Sequence, residues 1–289
     1  MTTRKQLMYM GLFFLIFVIV IPAIVLYSLG YRIGDNFGLV KTGGLYFVND
    51  ESDVKVFLND KLKKESGFIE KDILIQNLKP GNYHAEVKKE GYRLWEKWVK
   101  VSPEKVEVLY PLLIKEKLEI TEIPRYENIA AAKKKKINEE YADVLKLFEK
   151  KKKPSKKAFF TWTDPEEKKL RLSEDRKLKD KVFLYRNNNN IYVRWIGKEE
   201  KLPFFINSMK PKLIFNPKTP FRSFDFFPGR NDSFIVHLSD GSLLACEIDN
   251  RFGNQNFYKI VKYCDRYIID DEELYYFIGS KLFVIDFGN

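Results

Sequence analysis

The chain has 289 residues, 45% of them hydrophobic and 15% aromatic, which is enough for two modest domains that each bury a core. Its formal net charge of +11 is uneven, because the window from Lys133 to Lys157 holds 11 lysines against four acidic residues. The rest of the chain carries only +4. Composition therefore argues against a protein whose whole surface binds nucleic acid or another polyanion. The two cysteines lack any Cys-x-x-Cys or Cys/His spacing, which argues against a cysteine-based zinc site.

The first element along the chain is a long apolar segment. No residue between Lys5 and Arg32 is charged, and Leu7–Leu29 is an almost wholly apolar run of 23 residues. As a helix this run reaches roughly 34 Å, which is enough to cross a hydrocarbon core of ~30 Å. The sequence therefore predicts a single-pass transmembrane anchor.

Two alternatives to an uncleaved anchor stay open. A buried helix of a soluble domain normally shows polar positions, and this run has almost none. A cleavable signal peptide has a shorter apolar region and a small-x-small site, for which Ser28-Leu29-Gly30 is a weak match. The basic residues on the two flanks favour only slightly an N-terminus inside and the bulk of the chain in an extracytoplasmic location.

The pattern divides the chain into six segments: an N-terminal tail at 1–6, the anchor at 7–29, a juxtamembrane linker at 30–43, a β domain at 44–113, a linker with a lysine-rich helix at 114–157, and a β-repeat region at 158–289. The predicted fold class is mainly β, with an N-terminal transmembrane helix, a small β-sandwich, a basic amphipathic helix and a C-terminal, partial-propeller-like antiparallel β region.

In the β domain, apolar and polar residues alternate with a period of two over short runs that turn signals separate. Asn59-Asp60 suits a hairpin bend, Pro80-Gly81 suits a type II turn, and Gly91 permits a positive-φ turn. Short strands with a turn every 8–12 residues are typical of a small sandwich or barrel.

Two runs in this domain resemble the PEGA domain family: Leu78-Lys79-Pro80-Gly81-Asn82-Tyr83, and Lys89-Glu90-Gly91-Tyr92-Arg93-Leu94-Trp95. Where that family has the Pro-Glu-Gly-Ala motif that gives it its name, this sequence has Asp50-Glu51-Ser52-Asp53. The resemblance implies a β-sandwich-like module, often found behind membrane anchors in bacterial envelope proteins, that serves as a non-catalytic interaction or spacer module.

Three aromatic residues of this domain, Tyr92, Trp95 and Trp98, form a candidate interaction surface on which a ligand such as a sugar ring could stack. The alternative is that they pack in the core and on a sheet face, because aromatic rings dominate the cores of small β domains.

The segment from Ala130 to Glu149 carries an apolar stripe of helical period: Ile137, Tyr141, Val144, Leu145 and Phe148. Lysines precede and follow it, and Pro154 ends the helix. These lysines are a candidate contact for a polyanion or an anionic lipid: Lys133, Lys134, Lys135, Lys136, Lys150, Lys151, Lys152 and Lys153. The alternative is a solvated linker whose stripe packs on a neighbouring sheet, and nucleic acid is the least favoured partner because no recognition motif accompanies the charge.

The C-terminal region contains three hairpin patterns with turn centres near residues 189, 240 and 280. A spacing of about 40–50 residues resembles that of β-propeller blades. Three units are too few for a ring of 4–8 blades, which favours an open or truncated propeller or a repurposed twisted sheet.

The sequence predicts no catalytic residue, no metal site and no cofactor. His84 and His237 both point away from the apolar face of their strands, and the acidic run Asp270–Glu273 lacks the ligand spacing of an EF-hand loop. Cys246 and Cys264 could form a disulfide if they lie outside the cytoplasm, although two separate half-buried thiols are also compatible with the spacing.

These patterns favour a non-catalytic, membrane-anchored envelope protein that presents β modules for binding or structural scaffolding. Its partners would be the membrane, through one integral span, and a cell-wall polymer or another envelope protein. Two alternatives stay open: a glycan-acting hydrolase with a carboxylate site in the C-terminal β region, and a membrane scaffold that faces the cytoplasm.

Overall fold

The computed structural model describes residues 3–34, 37–125, 131–151 and 175–288, with side chains described for 139–150 within the third range. The predicted fold class is confirmed: the chain is mainly β, with an N-terminal apolar helix and several antiparallel sheets. Contacts divide it into two compact units, the first made of Met1–Lys88 and Glu96–Pro111, and the second of Lys89–Trp95 and Leu112–Asn289.

The first unit begins with helix α1, Thr3–Ser28, none of whose residues is buried. From Gln6 to Ser28 the helix has no charged residue and its apolar side chains occupy every side, so this part has no polar face to offer water. A two-stranded antiparallel hairpin follows, formed by β1, Tyr31–Ile33, and β2, Leu39–Lys41.

The rest of the first unit is a small two-sheet module. Its strands are β3, Gly43–Phe47; β4, Lys55–Leu58; β5, Lys61–Glu65; β6, Ile73–Leu78; β7, Gly81–Lys88; β8, Trp95–Val101; and β9, Val106–Leu109. One sheet has the order β6-β3-β9 and the other β5-β4-β7-β8. Strands such as β4 and β8 alternate as the sequence predicts, whereas β5 is exposed along its whole length. The inward side chains of the module are buried, among them Leu45, Val56, Ile73, Val87 and Val99.

The second unit contains three four-stranded antiparallel sheets and one helix, α2, Ala131–Lys151, among its described residues. Its strands are β10, Ile120–Ile123; β11, Arg176–Lys179; β12, Val182–Asn187; β13, Asn190–Trp195; β14, Lys212–Phe215; β15, Phe221–Phe226; β16, Ser233–Leu238; β17, Leu243–Glu247; β18, Phe257–Val261; β19, Arg266–Asp270; β20, Glu273–Ile278; and β21, Lys281–Asp286. Glu199–Lys201 and Arg251–Gly253 form short 3₁₀ turns.

The three sheets repeat one plan. Their orders are β11-β12-β13-β14, β15-β16-β17-β18 and β19-β20-β21-β10, and their first strands begin 45 residues apart, at residues 176, 221 and 266. The fourth strand of the third sheet is β10, which precedes the three repeats in the chain and pairs antiparallel with β21. A strand from the start of the unit therefore completes the sheet at its end.

Helix α2 packs on the third sheet. Val144 and Phe148 are buried in one cluster with Ile268, Phe277 and Leu282 of that sheet. Of the predicted stripe from Ile137 to Phe148, the part whose side chains the structure describes, Tyr141 to Phe148, thus covers a sheet face. Residues 158–174, which begin the predicted C-terminal region, lie outside the described residues.

Candidate functional site

The outer face of the four-stranded sheet in the first unit carries a group of polar and charged side chains. On β7, Ala85 and Val87 point inward, so His84, Glu86 and Lys88 occupy the opposite face, as the sequence predicts for His84. The neighbouring strand β8 alternates in the same way, with Glu96 and Trp98 on its exposed positions.

The turn between β4 and β5 brings Asp60 to this face. Asn59 and Asp60 have φ values of 49° and 63°, which are the positive values that a two-residue type I′ hairpin turn needs at both central positions. Asn59 is fixed to His84 by two hydrogen bonds: its backbone N–H donates to the His84 carbonyl at 2.8 Å, and its Oδ1 accepts from the His84 N–H at 2.9 Å. Asp60 therefore directly follows Asn59, the residue that two hydrogen bonds fix to His84.

Asp60, His84 and Glu86 form the His84 cluster, in which one ligand atom from each residue lies within 4.8 Å of the other two. His84 Nδ1 lies 3.7 Å from Glu86 Oε1, and His84 Nε2 lies 3.5 Å from Glu96 Oε2 on the other side of the ring. Glu86 is only 8% exposed. The His84 imidazole thus lies between the carboxylates of Glu86 and Glu96, and the Asp60 carboxylate lies close by.

Two further side chains frame the His84 cluster. The Trp98 ring packs on the His84 imidazole with a centroid distance of 5.1 Å, while Trp98 itself stays 54% exposed. Lys88 makes an ion pair with Glu86, and its ammonium lies 4.6 Å from the centre of the Phe57 ring. The cluster combines one imidazole and acidic oxygens, which are the donor types that hold divalent transition metals.

The three aromatic residues proposed as an interaction surface do not lie together on one face. Trp95 and Trp98 are three residues apart in β8 and therefore point to opposite sides of the sheet. Trp95 is buried, and its indole N–H donates to the carboxylate of Glu247. Tyr92 is partly buried and makes an isolated bridge to Lys115. Of the three, Trp98 is the one that offers an exposed ring face.

The lysines proposed as a polyanion contact fall mostly outside the described side chains. Lys150 is described and is exposed at the end of α2. Lys133, Lys134, Lys135, Lys136 and Lys151 have no described side chains, and Lys152 and Lys153 lie outside the described residues. The polyanion contact stays a prediction.

The two cysteines are separate, buried, free thiols, not bonded to each other in this structure. Burial raises the pKa of Cys264 to about 12 and raises the pKa of Cys246 well above its ordinary value. His237 donates from Nε2 to the carbonyl of Cys264 at 3.1 Å and lies 3.7 Å from its sulfur. Burial lowers the pKa of His237, so this pair is a neutral imidazole beside a protonated thiol and not an activated nucleophile.

The acidic run at residues 270–273 spans the end of β19, a two-residue turn and the start of β20. Asp270 lines a groove with Glu139, Glu140 and Asp143 of α2. Glu273 accepts a hydrogen bond of 2.6 Å from the Tyr275 hydroxyl, and burial followed by this bond raises the pKa of Tyr275. Asp270 is thus the one residue of the run that lines this acidic groove on the α2 side of the third sheet.

The period-two pattern of β7 is enough to put Glu86 on the same strand face as His84, but it does not indicate that Asp60 joins them. Asp60 is 24 residues earlier, and it approaches His84 because β4 pairs with β7 in the register Leu58↔Ala85. The sequence signal that could have indicated Asp60 was the pair of turn residues Asn59-Asp60. A tight turn at the end of β4 lies close to the strand that pairs with the other edge of β4.

No protein-family model matches this sequence, and no curated protein matches it. Among solved structures, a similar chain occurs in a complex of a variant S. cerevisiae Dbp5 bound to Nup159, a Gle1 variant, IP6 and ADP. The match has 10% sequence identity and a TM-score of 0.27, and it covers 45% of this chain and 33% of that chain. A similarity this low supports no argument about fold or function.

Proposed function

We propose that this protein is a non-catalytic, single-pass membrane protein that presents two β-rich units for binding or structural scaffolding at an extracytoplasmic membrane face. The observation that carries the proposal is helix α1, which has 26 residues, a mean hydropathy of 2.8 in its most apolar window and no buried residue. Exposing that much apolar surface to water is unfavourable by ~25 cal/mol per Å², whereas a bilayer buries it.

The C-terminal end of α1 supports an interfacial position. The Arg32 guanidinium lies 3.6 Å from the centre of the Tyr27 ring and donates hydrogen bonds of 2.9 and 2.8 Å to the carbonyls of Tyr27 and Tyr31. A cation stabilises the carbonyl end of a helix, and tyrosine with arginine is a frequent combination at the membrane–water interface. Arg32 also donates to Asn77 Oδ1 at 2.9 Å, which ties the helix end to the first β module.

We also infer which kind of β module each of the two units forms. The first is a PEGA-like module, supported by its seven short strands in two sheets and by the sequence resemblance. The second is a propeller-like array, supported by the 45-residue repeat and by the shared order of its three sheets. The resemblance of the first module implies a non-catalytic interaction or spacer role, and we expect a cell-wall polymer or another envelope protein as the partner.

Membrane fractionation tests the anchor. We expect the full chain to stay in the membrane pellet through alkaline carbonate washing, and a chain that lacks residues 1–29 to become soluble. Arginine in place of Val18 and Ile21 should release the chain, because each central arginine costs about 2.5–3.5 kcal/mol of insertion free energy. The matched variant with alanine at both positions should stay in the pellet. A full chain that is soluble without detergent and retains its N-terminus contradicts the proposal.

Protease treatment of intact cells tests the orientation. External protease should degrade both β units if the bulk of the chain is extracytoplasmic. Protection in intact cells together with digestion in lysed cells would assign the chain to the cytoplasmic face instead. Hydrolysis of a polysaccharide by the purified chain, abolished by Asp→Asn substitutions, would replace the non-catalytic proposal with the hydrolase alternative.

A further inference from the structure

The His84 cluster has the composition of a metal site. Asp60 comes from the β4–β5 turn, and His84 and Glu86 come from alternate positions of β7, so two separate segments contribute one group of ligands. The three side chains carry two negative charges and one imidazole, and Glu96 adds a third carboxylate at 3.5 Å from His84 Nε2. Lys88, paired with Glu86, offsets part of this charge.

The distances fit coordination after small side-chain shifts. Ligand atoms about 2.1 Å from a tetrahedral Zn²⁺ are separated from one another by about 3.4 Å. His84 Nδ1 and Glu86 Oε1 already lie 3.7 Å apart, and all three ligand atoms lie within 4.8 Å of one another. The widest separation, at most 4.8 Å, therefore exceeds the separation of coordinated ligands by about 1.4 Å.

The surroundings hold the imidazole in position. The Trp98 ring packs on His84, and the reciprocal hydrogen bonds to Asn59 fix the His84 backbone. The Glu96 carboxylate beside Nε2 favours the tautomer with its proton on Nε2, which leaves the Nδ1 lone pair free on the side of Glu86. A carboxylate on the second nitrogen of a histidine is the usual outer partner in metal sites, because it orients the ring and makes the ligand more basic.

We propose that Asp60, His84 and Glu86 bind one divalent transition-metal ion, with Zn²⁺ as the ion whose preferences fit best. Imidazole together with carboxylate suits zinc, whereas calcium and magnesium prefer sites made only of oxygen. Three protein ligands leave a fourth position for water or for an acidic group of a partner. Because the exposed Trp98 ring packs on His84, an incoming ligand would meet a metal ion and an aromatic ring close together.

Calorimetric titration of the chelator-treated, detergent-solubilised full chain with zinc chloride tests the site. We expect one ion per chain, and affinity reduced at least about tenfold in Asp60→Asn, His84→Gln and Glu86→Gln. Asn suits the positive φ at position 60, so Asp60→Asn keeps the turn while it removes the charge. Glu65→Gln removes an exposed carboxylate from the adjacent strand β5 and should bind zinc like the parent.

Two further variants separate a metal site from a surface ion-pair network. Lys88→Gln should strengthen zinc binding severalfold, because the ammonium that competes for Glu86 is removed. Zinc should change the intrinsic fluorescence of the parent, and Trp98→Phe should lose most of that change while it retains calorimetric binding. Near-ultraviolet circular dichroism establishes that each variant is folded. Absence of saturable binding by the parent, or unchanged affinity in both folded Asp60→Asn and Glu86→Gln, would overturn the proposal.

Discussion

The indole N–H of Trp95 donates a hydrogen bond to the buried carboxylate of Glu247, 152 positions further along the chain. The same carboxylate accepts from the side-chain amide of Asn256 at 3.2 Å. The two residues before Trp95 bind β18: Arg93 donates to the Lys259 carbonyl at 2.9 Å, and the Tyr258 hydroxyl donates to the Leu94 carbonyl at 3.0 Å. The segment Lys89–Trp95 is therefore built into the second unit by side-chain and backbone hydrogen bonds.

Trp95→Phe should destabilise the second unit. Phenylalanine keeps most of the buried ring but removes a donor from a buried carboxylate, and a hydrogen bond to a charged group contributes about 1.5–3 kcal/mol. We expect the free energy of unfolding of the full chain in detergent, measured by chemical denaturation, to fall by that amount. Trp98→Phe is the matched control and should change it by less than about 0.5 kcal/mol, because Trp98 is 54% exposed. Equal effects of the two substitutions would show that the Glu247 contact is not stabilising.

Strand β10 should be an integral part of the third sheet. Ile123 is 4% exposed and packs with Val144, Phe148 and Ile268, whereas Ile120 on the same strand is 50% exposed. Ile123→Ala should lower the free energy of unfolding by about 2–5 kcal/mol, and Ile120→Ala should leave it nearly unchanged. Thermal and chemical denaturation of the two variants measure the difference. A small effect of Ile123→Ala would mean that β10 does not complete the sheet in solution.

The thiols should be unreactive in the folded protein. With the pKa of Cys264 at about 12, only about one molecule in ten thousand carries a thiolate at pH 8, and the thiolate is the form that reacts. We expect a colorimetric disulfide reagent to detect both thiols rapidly in denaturant and neither on the same timescale in the native chain. Rapid native labelling, or a Cys246–Cys264 crosslink in the mass spectrum under oxidising conditions, would contradict this expectation.

The same thiol and the Tyr185 hydroxyl make stability fall at alkaline pH. Burial raises the pKa of both groups to about 12, from ordinary values of 9.0 and 10.0. The unfolded chain therefore releases protons that the folded chain retains, so stability is complete below pH ~9 and declines as pH rises from there towards 12. The urea midpoint measured between pH 8 and pH 11 should decrease, and Cys264→Ala should reduce the slope. A midpoint that rises with pH over this interval would contradict the burial of these groups.

The sequence predicted the features that depend on local pattern. The uncharged run from Leu7 to Leu29 lies almost wholly within α1, and the stripe at Val144 and Phe148 faces the core, because a period of 3.6 residues fixes which side chains share a face. The alternation in β7 likewise placed His84 and Glu86 together on the outer face. Turn residues marked hairpins, as at Asn59-Asp60, because few residues tolerate positive φ at both positions.

The features that the sequence did not predict depend on pairing between distant segments. Nothing in Ile120–Ile123 indicates that its partner is β21, some 160 residues later, because four alternating residues fit many strands equally well. The approach of Asp60 to His84 depends in the same way on the pairing of β4 with β7. The opposite directions of Trp95 and Trp98 were readable from their odd spacing, but the buried partner of Trp95 was not.

Helix α2 should contribute to the stability of the second unit through one aromatic pair. The Phe148 and Phe277 rings meet edge to face with centroids 5.1 Å apart, and the Arg266 guanidinium lies 4.3 Å from the centre of the Phe277 ring. Phe148→Ala should lower the free energy of unfolding by about 3–5 kcal/mol. In a double-mutant cycle of Phe148→Leu and Phe277→Leu, the coupling energy should be about 0.5–1.5 kcal/mol. Lys146→Ala on the exposed side of the same helix should have little effect, because its ion pair with Asp143 is exposed to solvent. A coupling energy of zero, with Phe148→Ala no more harmful than Lys146→Ala, would mean that the helix is a solvated linker.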